Sequence, residues 1–311
     1  MLTGQAGHDC GDAADRRPGE DDRVLAVVIV TYNSADVLPG LLDSLPTGLE
    51  DVSRWQVLVM DNASSDESVR LASAHPVGAR IISMGRNAGY AAAINAGAAA
   101  AGPDADLLIL NPDIRLLPGC GGVLRRHLSD PAVGIVVPQL LDEEGVVARS
   151  VRREPSLLTA WTDALLGTKI AARLGAGEIV HDVELYKSGG KVEWATGAIL
   201  AIPAATRRRV GSWDESFFLY SEEVDYLRRV RTMGLEVIYV PSAQAVHIGG
   251  AYHDNLFLAS LMTTNRIRYY RRHHGPLATS LFRLSIVVGE TMRATLGPGH
   301  RAALRAALSA G

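Results

Sequence analysis

The chain has 311 residues, 47% apolar and 21% charged, enough apolar material for a sizeable core and the wrong balance for a disordered or fibrous protein. Its formal charge of −3, from 34 acids against 31 bases, excludes the strong basic excess of a general nucleic-acid binder. Two cysteines make neither a disulfide framework nor a zinc site, and no run of about 18 apolar residues is present, so a cytoplasmic location is expected over secretion or a membrane span.

Charge is spread unevenly. Residues 1–22 carry six acids and two bases with almost no apolar residues, and read as a disordered acidic tail. Residues 265–311 carry eight arginines against one acid, Glu290, a basic end suited to seeking a surface.

Between these ends the pattern is α/β. Residues 24–30 (VLAVVIV) form a continuous β-branched run, as in a strand buried on both faces. Ser34 stands where an N-cap opens a helix with Val37, Leu38, Leu41, Leu42 and Leu45 at helical spacing. Strand 55–60, helix 65–74, strand 80–83, small-residue helix 90–101, strand 106–110, helix 119–128 and strand 134–138 follow. This alternation predicts parallel βαβ units in a mostly parallel sheet flanked by helices. Residues 149–193 read as polar and irregular, with lid or connecting segments. Residues 194–202 return to the core, 222–233 form a helix closed by Gly234, and 235–240 form a strand. Beyond Leu256 the chain reads as helical and basic.

Ligands of open α/β sheets bind at the carboxyl ends of the strands. Three such ends bear polar clusters: Thr31-Tyr32-Asn33, Asp61-Asn62-Ala63-Ser64-Ser65-Asp66 and Asn111-Pro112-Asp113. Turn chemistry alone accounts for any one of them. Three at consecutive strand ends point to a site. No GxGxxG and no Walker lysine is present, which excludes the phosphate loops of dinucleotide enzymes and P-loop ATPases.

The segments VVIVTYNS, VLVMDNASSD, GRNAGYAAAINAG and LLILNPDIRL, followed by FFLYSEEVDYLRR and AVHIGG, together resemble family 2 glycosyltransferases of GT-A (Rossmann-like) fold. They are most similar to the bacterial rhamnosyltransferases of cell-wall and O-antigen assembly. The resemblance implies a GT-A domain over 23–270, with a nucleotide-sugar half to about 140 and an acceptor half beyond it, then a basic helical extension over 271–311.

The implied activity is inverting transfer of a sugar from a nucleotide-sugar donor, L-rhamnose from dTDP-L-rhamnose by preference, to a hydroxyl of a glycan or polyprenyl-linked acceptor. Another dTDP- or UDP-hexose donor, and a non-catalytic sugar-nucleotide-binding scaffold, stay open as alternatives. By resemblance, Thr31, Tyr32, Asn33, Asp61, Asn62, Arg86, Asn87, Gly89, Asn111 and Asp113 bind the donor, with Gly89 allowing close backbone approach over the base. A divalent cation, Mg²⁺ or Mn²⁺, is implied at the diphosphate. The family's DxD reads Asn-Pro-Asp here, so Asp113 supplies the charge, with His247 in the place of a further ligand.

The attacking hydroxyl needs a carboxylate base. The family's Glu-Asp-x-Asp reads Glu222-Glu223-Val224-Asp225, which puts Glu223 in the base's place with Asp225 as runner-up. Glu222 reads as a solvated first-turn acid near the acceptor. Trp194 and Gly197 line the acceptor segment, where Trp194 either stacks on a sugar or packs in the core. The basic end reads either as a peripheral contact with the inner face of the cell membrane or as a homodimer surface, and both stay open.

Overall fold

The computed structural model describes residues 23–249 and 255–309. The stretch 1–22, read as a disordered tail, lies outside them. The first half alternates as its sequence predicts, through β1 (Leu25–Thr31), α1 (Leu38–Gly48), β2 (Trp55–Asp61), α2 (Ser68–Ala74), β3 (Arg80–Ser83), α3 (Tyr90–Ala101) and β4 (Asp106–Leu110). Then come β5 (Ile114–Leu116), α4 (Cys120–Leu128), β6 (Val133–Leu141) and β7 (Val151–Arg152). The second half adds α5 (Leu157–Leu166), α6 (Thr168–Arg173), α7 (Val183–Ser188), β8 (Gly190–Lys191), β9 (Trp194–Ala195), β10 (Ile199–Ile202), α8 (Ala204–Val210), α9 (Glu222–Thr232) and β11 (Glu236–His247). It closes with α10 (Leu256–His273), α11 (Pro276–Arg293) and α12 (Pro298–Ser309).

The main sheet runs β3-β2-β1-β4-β10-β6-β11-β5, with β8 also paired to β11. Strands β1 to β4 are mutually parallel. Apolar residues of both parities along β1 are buried, and this fixes the layers. Ala26, Val28 and Val30 pack with Ala91, Ala93 and Ile94 of α3, while Leu25, Val27 and Ile29 pack with Leu38, Leu41, Leu42 and Leu45 of α1.

Two departures from parallel order bring the second half to the strand ends. β10 runs antiparallel to β4, pairing Ile199 with Leu110, so the loop before β10 lies beside the carboxyl end of β4. β11 starts parallel to β6, slips between Val240 and Gln244, and continues antiparallel to β5, with His247 opposite Ile114. The expected strand 235–240 is therefore twice as long as its apolar run, because an irregularity lets it serve two partners.

Other expectations are corrected. Ser34 does not cap α1: the helix starts at Leu38, and the Ser34 hydroxyl bonds to the backbone of Tyr32. Residues 149–193 are not irregular but hold α5, α6 and α7, with Ser156 and Thr159 forming a capping box. Only part of their apolar surface is covered: Leu157 and Ala160 join a cluster with α10 and α11 and Tyr186 joins the sheet core, while Leu158, Leu165, Ile170 and Leu174 are exposed, so no sheet-type pattern shows. Tyr270 stacks on Phe282 with ring centroids 3.9 Å apart, and both cluster with Ala160 of α5. Arg293 donates to the carbonyls of Asp163 and Ala164 at 2.8 and 3.0 Å, tying α11 to α5.

Much of the basic end is engaged within the chain. Arg266 pairs with Glu178, Arg272 with Asp214, Arg268 donates to the Ser216 carbonyl and Arg283 to those of Ala307 and Leu308. Exposed on α11 instead is an apolar row, Leu277, Leu281, Leu284 and Met292, at helical spacing. Among the described residues no helix is long and apolar enough to cross a membrane.

Candidate active site

The ends of β1 and β2 are laced together. Asp61 accepts from the Ser64 N–H at 3.2 Å and from the Thr31 hydroxyl at 3.4 Å, and all but a few per cent of its surface is buried. Asn33, at φ +50°, accepts from Ser65 N–H at 2.8 Å through Oδ1, and its own N–H donates to Ser64 Oγ at 2.9 Å. Tyr32 projects outward, half exposed.

Asn62 clamps the next loop. Its Nδ2 donates to the Gly89 carbonyl at 3.2 Å and its Oδ1 accepts from Ala88 N–H at the same distance, while Asn87 Oδ1 accepts from Gly89 N–H. Arg86 is exposed at the loop's start. The close approach that Gly89 permits is to protein: at φ +90°, a Cβ there would lie 2.3 Å from the Phe218 carbonyl oxygen. Tyr90 N–H donates to that same oxygen. The 86–89 loop and the segment before α9 are thus in direct backbone contact.

At the end of β4, the Asn111 N–H donates to the Ala198 carbonyl at 2.9 Å, holding the β9–β10 loop in place. Asp113 follows, with its Oδ2 3.2 Å from His247 Nε2 and its Oδ1 buried without a hydrogen-bond partner. Residues 134 positions apart in sequence meet here because β11 slips and pairs with β5. One imidazole and one carboxylate with a free buried oxygen would suit a divalent cation that draws its other ligands from elsewhere. Among the described residues no cluster of three or more His, Cys, Asp or Glu stands ready to hold a metal by itself.

The acids of α9 divide. Asp225 is buried, with Oδ2 accepting from Arg229 Nε at 2.9 Å and Oδ1 3.4 Å from His273 Nε2. Its oxygens are occupied by structure. Glu223 turns the other way, its Cβ 3.4 Å from where a Cβ on Gly197 would stand, and its Oε2 is buried without a partner. Glu222 is not solvated as expected; it is 3% exposed, and its Oε2 also lacks a partner. Burial raises the carboxyl pKa of Glu222 well above its ordinary value, with the Glu223 charge adding to the effect. Burial also raises that of Glu223, against backbone hydrogen bonds and Arg152, which favour its charge. The adjacent carboxyls cannot easily ionise together.

Tyr90, which no sequence motif marks as a site residue, belongs to this cluster. Its hydroxyl donates to the Gly197 carbonyl at 2.9 Å. Burial first, then the charges of Glu222, Glu223 and Asp113, push its pKa well above the ordinary tyrosine value. The available signal was one aromatic residue opening a helix of alanines. Trp194 takes the packing role: it is 7% exposed, and its indole N–H donates to the Arg153 carbonyl at 2.7 Å.

The strand order, the helices on both faces and the acids that both halves bring to the strand ends match a glycosyltransferase of GT-A fold. The model of glycosyl transferase family 2 matches residues 26–184, and the chain belongs to that family. It is 32% identical over 235 residues to N-acetylglucosaminyl-diphospho-decaprenol L-rhamnosyltransferase of Mycobacterium tuberculosis, covering 72% of this chain and 76% of the relative. It is 25% identical over 236 residues to the rhamnosyltransferase WbbL of Escherichia coli, covering 74% and 84%. In fold it is similar to a mannosyltransferase of Pyrobaculum calidifontis solved with GDP-Man and Mn²⁺, with a TM-score of 0.53 at 18% identity over 92% of this chain and 86% of the other. GalNAc-T7, solved with UDP, GalNAc and Mn²⁺, aligns with a TM-score of 0.57 at 14% identity over 80% and 47%.

Proposed function

We propose that the protein transfers L-rhamnose, with inversion, from dTDP-L-rhamnose to a hydroxyl of a polyprenyl-diphosphate-linked glycan. The observation that carries this reading is the gathering around Tyr90 at the strand ends, where the charges of Asp113 and Glu223 both act on its hydroxyl, Gly197 accepts from it, His247 pairs with Asp113, and Asp113 and Glu223 each keep a buried oxygen free. Rhamnosyltransferases among the relatives support the choice of sugar, and the mycobacterial one supports the acceptor class.

In the reaction the acceptor oxygen bonds to the anomeric carbon as its proton passes to Glu223, and the bond to the donor diphosphate breaks with its electron pair leaving on that diphosphate. Asp61, Asn62, Thr31, Asn33 and the 86–89 loop seat the nucleotide. Asp113 and His247 would hold Mg²⁺ or Mn²⁺, which when bound neutralises charge on the departing diphosphate. Gly197 leaves room for the sugars beside Glu223. The apolar row on α11 rests the enzyme on the membrane that carries the acceptor lipid.

A transfer assay over a panel of dTDP- and UDP-hexoses, with polyprenyl-diphospho-N-acetylglucosamine as acceptor, tests the reading. Turnover with dTDP-L-rhamnose above the other donors is expected. Preference for another hexose would overturn the donor, and tight dTDP binding without any turnover would make the chain a scaffold.

A further inference from the structure

Phe218, Tyr220 and Ser221 have φ of +61°, +69° and +74°, so three residues bearing side chains sit in the left-handed region within four positions. That region is disfavoured for L-residues and persists only where neighbours enforce it. This stretch leads straight into Glu222 and Glu223, and Ser221 gives α9 no side-chain cap.

One hold is local, the Leu219 N–H donating to the Phe217 carbonyl at 2.7 Å across Phe218, and the others come from two sides. On the donor side, the Tyr90 N–H donates to the Phe218 carbonyl at 2.6 Å. On the other, Asn265 of α10, 1% exposed, directs its Nδ2 to the carbonyls of both Phe217 and Leu219, the latter at 2.9 Å. A carboxamide nitrogen has two hydrogens, and here they bracket Phe218. Arg268 and Arg272 hold the turn before it, at Ser216 and Asp214, and the Arg272 guanidinium also lies over the Phe217 ring, 4.7 Å from its centroid.

We propose that Asn265 is a positioning residue for transfer: its amide holds residues 217–221 in their left-handed path, and so aims Glu223 at Gly197 and Tyr90. The inference rests on Glu223 being the base. The bonds of Asn265 go to this segment and not to the 86–89 loop, so its loss should weaken transfer far more than nucleotide binding, which feels it only through the Tyr90–Phe218 backbone bond.

The test compares Asn265→Asp, which keeps the shape but donates nothing, with Asn265→Ala and with Asn265→Gln, which keeps the donors one methylene out of place. With dTDP-L-rhamnose and the N-acetylglucosamine lipid acceptor, kcat is expected to fall about 100-fold in Asp and Ala and less in Gln. Calorimetric affinity for dTDP should change by less than about threefold. Amide exchange should quicken across 217–224 while β1 to β4 keep native rates. Because glycine adopts φ near +74° without help, Asn265→Ala should cost several-fold less turnover in a Ser221→Gly background than in the native one. Native kcat in Asn265→Asp or Asn265→Ala would overturn the proposal. So would exchange that quickens uniformly with a matching loss of dTDP affinity, or equal losses in both backgrounds. A native chain that turns over no donor would defeat the rhamnosyltransferase reading alone, since the exchange pattern still decides whether Asn265 holds the segment.

Discussion

Replacing Glu223 by glutamine removes one ionisable oxygen from the site and almost nothing from the fold. Its Oε2 has no partner to lose, and Gln fills the same space beside Gly197. A positioned general base is worth about 10²–10⁴ in rate, or roughly 2.7–5.4 kcal/mol of barrier at 1.36 kcal/mol per decade. Turnover should fall by that factor with dTDP affinity unchanged, while stability at neutral pH holds or rises because a carboxylate disfavoured by burial is gone. Asp225→Asn is the control. It weakens a buried pair with Arg229 and the contact with His273, so stability should drop by about 1–3 kcal/mol, with a smaller loss of turnover in the folded fraction. Rates at saturating donor and acceptor, together with urea unfolding of each variant, give both quantities. If Asp225→Asn abolished transfer and Glu223→Gln were nearly silent, the base would lie two residues further along, and the assignment of Glu223 would be wrong.

Glu222 has a raised pKa in the folded chain, so its carboxyl favours the folded state below the ordinary glutamate pKa, and that contribution is lost as pH rises through the folded value. Glu222→Gln should flatten the fall in stability above about pH 4.3 and stabilise the chain at pH 7, as read from urea midpoints against pH. Asp113→Asn should lower activity far more than stability, and chelation should do the same to the native enzyme; full activity in excess chelator would remove the cation from the scheme. Gly89→Ala forces a Cβ to 2.3 Å from the Phe218 carbonyl at φ +90°, and should cost about 3 kcal/mol or more by urea unfolding, or displace the 217–221 segment and slow transfer. Charging the α11 row with Leu277→Glu and Leu284→Glu should abolish binding to anionic vesicles without altering dTDP affinity; retained vesicle binding would clear α11 of that role.

Local pattern was sufficient for the strands and helices of the first half. The β-branched run at 24–30 and the apolar spacing of Leu38, Leu41, Leu42 and Leu45 state their own burial, because a strand or helix between two layers must be apolar wherever it is covered. The polar ends of β1, β2 and β4 were legible for the same reason, as interruptions of that pattern, and the family's motif order assigned them to one cleft. What tertiary structure alone decided is which side chains face each other across long separations. The slip in β11 that sets His247 against Asp113 is marked locally only by Pro241, which signals a break in the ladder but not the partner beyond it, and the antiparallel entry of β10 that carries Gly197 to Glu223 and Tyr90 leaves no local signature. Sequence put Glu222, Glu223 and Asp225 in one helical turn and could separate their faces, but not their burial. Glu222 is covered, and Asp225 is taken up by Arg229 and by a histidine from a helix 48 positions further on. Asn265 reads as one polar residue in a basic helix. Only the path of residues 217–221 beneath it shows what its amide holds, since a left-handed backbone stretch without glycine has no composition to announce it.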